Sequence, residues 1–196
     1  MGCCGVVKLL HVLRVIGAGL LGKLVAGAAA GIGARLVMFL IRLLNPTHNG
    51  MTTHSDAVVG RWTVDGTLAV VTGGMFEGIF GAIVYLIVRR WVPGRGWRKG
   101  LLFGLVLLVL IGPMVFDGDY EYFRYIPPWA SVTLFALLFP LYGVVQAPVT
   151  ERLGAGAQGP PRNRFLKWGG YVVLGALVVA STVEMVQAMH WLYGFF

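Results

Sequence analysis

Five long and almost uninterrupted apolar segments constrain this chain more than any other feature of its sequence. They lie at about residues 24–44, 67–88, 101–116, 129–149 and 168–193. A helix rises about 1.5 Å per residue, so about 20 residues cross the roughly 30 Å apolar core of a bilayer. The third segment covers only about 24 Å and needs flanking residues or local thinning of the bilayer to cross. We therefore expect an all-α integral membrane protein, with residues 1–196 forming a single domain of about five transmembrane helices.

Composition agrees with this expectation and excludes a soluble domain. Hydrophobic residues make up 57% of the 196 residues, charged residues only 12%, and the mean hydropathy is +0.77. A soluble domain usually carries about 25% charged residues. The net charge is +8, but the basic residues stand in short loops beside the apolar segments. That placement is typical of topology signals, so we expect a lipid bilayer as partner and no nucleic acid.

Residues 1–23 precede the first apolar segment and have an amphipathic pattern. Lys8, His11 and Arg14 recur at every third position, and leucine, valine and isoleucine fill the positions between them. Such a pattern suits a helix that lies in the membrane interface. The sequence also allows one long tilted helix over residues 6–44. It therefore leaves open whether these residues form one helix or two.

The charges of the loops predict the orientation of the chain. The loops at residues 89–99 and 151–167 are rich in arginine and lysine, whereas those at residues 45–66 and 117–124 are weakly acidic. Positively charged loops remain in the cytoplasm. We therefore expect a multi-pass protein with a cytoplasmic N-terminus and an external C-terminus.

Three ionisable residues lie deep within predicted spans, namely Arg35, Glu77 and Glu184. Counted from the expected external helix ends, they lie about 13, 15 and 12 Å deep. A charge near the middle of a bilayer costs about 3 kcal/mol on insertion scales, and the cost falls beside an opposite charge. We therefore predict an intramembrane charge cluster of these residues with Gln187, in which Arg35 pairs with Glu77. Such a cluster is either structural, holding helices together, or part of the pathway of a small transporter or channel.

Glycines at a spacing of four recur in three spans. Small residues at this spacing allow helix backbones to approach closely, either within one chain or between copies. The predicted packing positions are Gly27, Gly31, Gly74, Gly78, Gly100 and Gly104.

Weak metal-ligand candidates lie in the first external loop. His48, His54 and Asp56 offer two imidazoles and a carboxylate, but their spacing fits no compact zinc motif and no fourth ligand is near. They support only a remote alternative, a lipid-modifying membrane enzyme. Nucleotide-binding, zinc-protease and serine-hydrolase motifs are absent from the sequence. We expect no metal and no other cofactor, and a non-enzymatic role over an enzymatic one.

The central third of the chain resembles a type of small, uncharacterised, multi-spanning membrane protein. The shared features are a Gly-Thr opening, a glycine-rich span, the loop motif RRWxPGRG at residues 89–96 and a following GLLFGLxL. The resemblance implies a bacterial plasma membrane and brings no activity. Taken together, the sequence favours an accessory or structural subunit that packs against a larger membrane complex or against itself.

Overall fold

The computed structural model describes residues 3–44, 50, 63–116, 128–154, 161 and 163–194. Within these ranges the regular elements are α-helices, and no strand is present. The helices are α1 (Cys3–Leu44), α2 (Val64–Val88), α3 (Gly96–Phe116), α4 (Pro128–Ala136), α5 (Leu138–Leu153) and α6 (Arg164–Gly194). Five stretches are long and apolar enough to cross a membrane, with α4 and α5 together forming one of them. The expected all-helical architecture with five apolar spans is confirmed at this level.

The first helix joins the predicted interfacial segment and the first span. α1 runs for 42 residues without a break, and its apolar part extends over Val12–Ile41. The sequence contains no proline between its two ends that would interrupt the backbone hydrogen bonds. Of the two arrangements that the sequence allowed, the structure has the single long helix, and no separate N-terminal segment is formed. Lys23 consequently lies inside the apolar span.

The third helix is longer than the predicted third span. The turn after α2 contains Gly94 and Gly96 with φ values of +102° and +56°, a region in which glycine is favoured. α3 begins at Gly96 and has 21 residues, which corresponds to about 31 Å. Residues that the sequence assigned to a basic loop, including Lys99, therefore form the first turn of this helix. α3 needs no thinning of the bilayer to cross it.

The fourth span is interrupted once, between α4 and α5. Leu137 separates the two helices but keeps helical dihedral angles. Pro140 follows three residues later and has no N–H to donate to the carbonyl of Ala136, which explains the interruption. The two helices together remain long enough to span a bilayer.

The helices pack side by side in the order α2, α1, α5, α3 and α6. The largest core cluster contains Tyr85, Phe103, Tyr142 and Ala147. The rings of Tyr85 and Phe103 meet edge to face with centroids 4.9 Å apart, which brings α2 near α3 at one end of the bundle. α6 is at the edge of this row, and its apolar span contains no buried residue.

Glycines lie at the closest helix crossings. A Cβ atom on Gly27 would lie 2.7 Å from the carbonyl oxygen of Gly74, and one on Gly31 would lie 2.7 Å from the Cα of Val71. Between α3 and α5, Gly100 faces the backbone of Gly143, and Gly104 faces that of Phe139. A Cβ on Gly78 would lie 3.3 Å from the ring of Tyr142. All six glycines that the sequence singled out thus lie in contacts between helices of one chain.

Candidate functional site

A line of polar side chains runs along the inner face of α5. Tyr142, Gln146 and Thr150 recur at every fourth residue, and all three are buried. We call these residues the polar stripe. The hydroxyl of Tyr142 donates to the carbonyl of Gly78 at 2.8 Å. The Nε2 atom of Gln146 donates to the carbonyl of Gly19 at 3.4 Å and to Oγ1 of Thr150 at 3.3 Å.

Glycines on the facing helices make room for the polar stripe. A Cβ atom on Gly22 of α1 would lie 2.5 Å from Oγ1 of Thr150. A Cβ on Gly81 of α2 would lie 2.8 Å from the ring of Tyr142. The polar groups therefore lie against bare backbone, where they can reach carbonyl oxygens of other helices. Such hydrogen bonds hold membrane helices together, typically with about 0.6 kcal/mol each.

A buried ion pair continues the polar stripe at the end of α5. Nζ of Lys99 lies 2.9 Å from Oε1 of Glu151, and the two side chains are only 1% and 10% exposed. The other carboxylate oxygen of Glu151 accepts a hydrogen bond from the backbone N–H of Gly96 at 3.1 Å. The carboxylate thus links the last turn of α5 to the first turn of α3.

Two residues of the α2 end complete this group. Arg89 is buried, and Tyr85 is fully enclosed with its hydroxyl beside the carboxylate of Glu151. Burial lowers the pKa of Arg89 and the adjacent Arg90 lowers it further, whereas Tyr85 and Glu151 raise it. We call Tyr85, Arg89, Lys99 and Glu151 the ionic cluster. It connects α2, α3 and α5 and contains two cationic groups and one carboxylate.

The ionic cluster is suited to holding helices rather than to binding a metal. It offers a single carboxylate, and within the described ranges no group of three His, Cys, Asp or Glu side chains is assembled. Removing one member of a buried ion pair leaves the other charge without compensation, which is strongly destabilising. The arrangement therefore fixes the end of α3 against α2 and α5.

The glycine contacts give the register of α1 against α2. Gly27 lies against Gly74, and Gly31 lies against Val71. A step of four residues forward along α1 is thus a step of three to four residues back along α2, as expected for antiparallel helices.

This register separates two residues that the sequence placed together. Arg35, four residues beyond Gly31, is level with about Thr67, whereas Glu77 is level with about Leu24. Along α1, residues 35 and 24 are roughly 16 Å apart. Arg35 is 3% exposed and buried within the bundle, whereas Glu77 is on the exposed surface of α2. The structure does not bring this predicted pair together.

The reason lies in the helix ends from which the depths were counted. The counting took Leu44 and Thr67 as one level, but the register puts Thr67 level with Arg35. α1 therefore extends about nine residues, roughly 13 Å, beyond that level. Helix lengths alone do not reveal such an offset.

Glu184 and Gln187 lie on α6, away from α1. Both side chains are exposed, and α6 packs mainly against α3. A shallow groove on α6 is lined by Gln187 together with Val179, Thr182, Val183 and Val186. The four members of the predicted charge cluster therefore occupy three separate surroundings. The weak metal-ligand candidates His48, His54 and Asp56 lie outside the described residues.

Sequence reasoning missed the ionic cluster, because it treated Arg89, Lys99 and Glu151 as solvated loop charges that set topology. Their burial depends on neighbouring helices and has no local signal. The polar stripe did have a signal, since Tyr142, Gln146 and Thr150 recur at every fourth residue of an apolar span. Polar residues within membrane spans usually face the inside of a bundle.

Comparison of the chain with protein-family models, with curated proteins and with solved structures finds no match.

Proposed function

We propose that this protein is a non-catalytic subunit that assembles with other membrane-spanning chains in a bacterial plasma membrane. The observation that carries the proposal is the exposure of two carboxylates, Glu77 and Glu184, within apolar spans. They lie on α2 and α6, which are at opposite ends of the row of helices. Both ends of the row thus present an ionisable group on a surface that is mostly apolar.

Lipid is an energetically poor environment for these two carboxylates. An acidic side chain near the middle of a span costs about 3 kcal/mol on insertion scales when it faces hydrocarbon. Coverage by a second spanning chain with a hydrogen-bond donor or a cation lowers that cost. The neighbours of Glu77 on the exposed surface, Phe76 and Phe80, add a large apolar contact area.

The charge distribution supports a cytoplasmic position for one end of the bundle. Exposed cations surround the end formed by the α2–α3 turn, the end of α5 and the start of α6. They are Arg90, Arg95, Arg98, Arg152 and Arg164. Cationic segments next to spans are retained in the cytoplasm, which supports a cytoplasmic N-terminus and an external C-terminus.

The register weakens the alternative of transport. That function required Arg35, Glu77 and Glu184 to share one site, and the helix positions give them no common site. The polar stripe is no better as a pathway, because its members lie directly against glycine backbone. Assembly explains the exposed carboxylates without a pathway.

The test is purification from native membranes in lipid nanodiscs, followed by mass measurement and identification of the co-purified chains. We expect particles heavier than one chain and of fixed composition. Glu77→Leu removes the polar group of the α2 surface and should release a chain bound there, whereas Glu77→Gln, which keeps a hydrogen-bonding side chain, should not. Single-chain particles from the unaltered protein would refute the proposal.

A further inference from the structure

The outward side of α6 has a regular seam. Val173, Leu177, Ala180, Glu184 and Gln187 are all exposed and follow one another at spacings of four, three, four and three residues. We call these five residues the outer seam. A spacing that averages 3.5 residues keeps a row of side chains directed at one partner helix along its whole length.

A neighbouring side of α6, about 110° around the helix axis from the outer seam, holds the helix in the bundle. Leu174 packs against the main core, and Met185 packs beside Phe116 of α3. The outer seam is therefore free for contact when α6 is in place. At one point of it the small side chain of Ala180 allows a second helix to come close.

The polar groups of the outer seam complement one another. Glu184 offers carboxyl oxygens, and Gln187, one turn further, offers an amide with two N–H donors. The two positions are about 4.5 Å apart along the helix axis, within the reach of both side chains. In a parallel two-fold pair each position is level with its own copy, so Glu184 lies beside the second copy's Glu184. The amide of the second copy's Gln187 then lies one turn along the axis, within reach of the Glu184 carboxyl. The complement of this seam is thus the seam itself, as a two-fold symmetric interface requires.

We propose that the outer seam is a homodimer interface, in which α6 of a second copy packs parallel to α6 and reciprocal hydrogen bonds join Glu184 and Gln187. The inference rests on the proposed assembly function and names one partner, a second copy of this chain. The carboxyl oxygens of Glu184 in each copy accept hydrogen bonds from the N–H groups of Gln187 in the other. The groove around Val183 and Val186 lies beside the outer seam and shares Gln187 with it.

Cysteine crosslinking in liposomes tests the geometry. Ala180→Cys is introduced into a chain whose two native cysteines are replaced by Cys3→Ser and Cys4→Ser. Parallel helices that meet at this position bring the two sulfur atoms within disulfide distance. We expect a covalent dimer from Ala180→Cys and monomer from the matched Val186→Cys. A dimer through residue 186, or monomer from both variants, would overturn the inference.

Energy transfer between differently labelled copies in liposomes tests the hydrogen bonds. Glu184→Leu should weaken self-association about tenfold, because both reciprocal bonds are lost. Glu184→Gln retains a donor and an acceptor and should stay near the unaltered value. Glu77→Leu, a change of the same chemistry on α2, should leave self-association unaltered. Equal behaviour of Glu184→Leu and the unaltered chain would contradict the inference.

The two proposals fail in different ways. Native particles that contain other chains but a single copy of this one would refute the homodimer and leave the assembly function intact. Single-chain particles would refute both.

Discussion

Lys99 and Glu151 form an ion pair of 2.9 Å that joins the first turn of α3 to the last turn of α5. Each residue is nearly inaccessible to solvent, and Glu151 also accepts the N–H of Gly96. The pair therefore determines how α3 begins, because Gly96 is the first residue of that helix. One of the four neighbouring helix pairs in the row, α3 with α5, is fixed by it at this end.

Removal of one member of this pair should destabilise the fold. Lys99→Met leaves the Glu151 carboxylate buried beside an uncharged side chain, at a cost of about 3–5 kcal/mol. The double variant Lys99→Met/Glu151→Leu should recover only part of this loss, since it removes the charge mismatch of the pair but leaves the buried Arg89 without a carboxylate. The free energy of unfolding in mixed micelles measures both effects. Arg98→Met is the matched control, because Arg98 is exposed and stacks on Trp97; its cost should be about 1 kcal/mol or less.

The glycine contact between α1 and α2 should not tolerate a methyl group. Gly27→Ala places a Cβ 2.7 Å from the carbonyl oxygen of Gly74, so the helices must separate. Overpacking of this kind costs about 1–3 kcal/mol. Gly73→Ala, one residue from the contact, meets nothing within 4 Å and should be neutral. The free energies of unfolding of the two variants test this prediction. An equal cost for both would contradict the close contact between Gly27 and Gly74.

The polar stripe should couple to the glycine of α1 that faces it. Gly22→Ala brings a Cβ within 2.5 Å of Oγ1 of Thr150, and Thr150→Ala removes that atom. The double variant should therefore be more stable than the sum of the two single effects predicts, with a coupling of about 1 kcal/mol. Strict additivity in this cycle would show that the two helices are further apart than the structure describes.

Arg35 and Glu77 should behave independently. Their levels on α1 and α2 are roughly 16 Å apart along the helix axis. In a double-mutant cycle of Arg35→Met and Glu77→Gln, the effects on unfolding free energy should add to within about 0.5 kcal/mol. A coupling well above that value would restore the ion pair that the sequence suggested. The Lys99–Glu151 cycle, measured in the same way, provides the positive reference.

The sequence by itself determined that the chain is all-helical with five apolar spans, because segment length and hydropathy are local properties. The glycines at a spacing of four were visible for the same reason, and all six lie at helix contacts. The polar stripe of α5 is also visible in the sequence, as polar residues at every fourth position, although it was not recognised. Each of these features is a pattern within a single helix, so it can be read from one stretch of sequence.

Only the tertiary structure decided which residues meet. Arg35 and Glu77 had similar expected depths only because Leu44 and Thr67 were assumed to lie at the same height. In the structure α1 extends beyond the height of Thr67, so the two residues lie at different heights. In the sequence Lys99 and Glu151 looked like loop charges. They are 52 positions apart, yet the fold brings them together as a buried ion pair. The register of two helices and the burial of their side chains depend on the relative shift and rotation of the helices. Packing between segments far apart in sequence determines that shift and rotation.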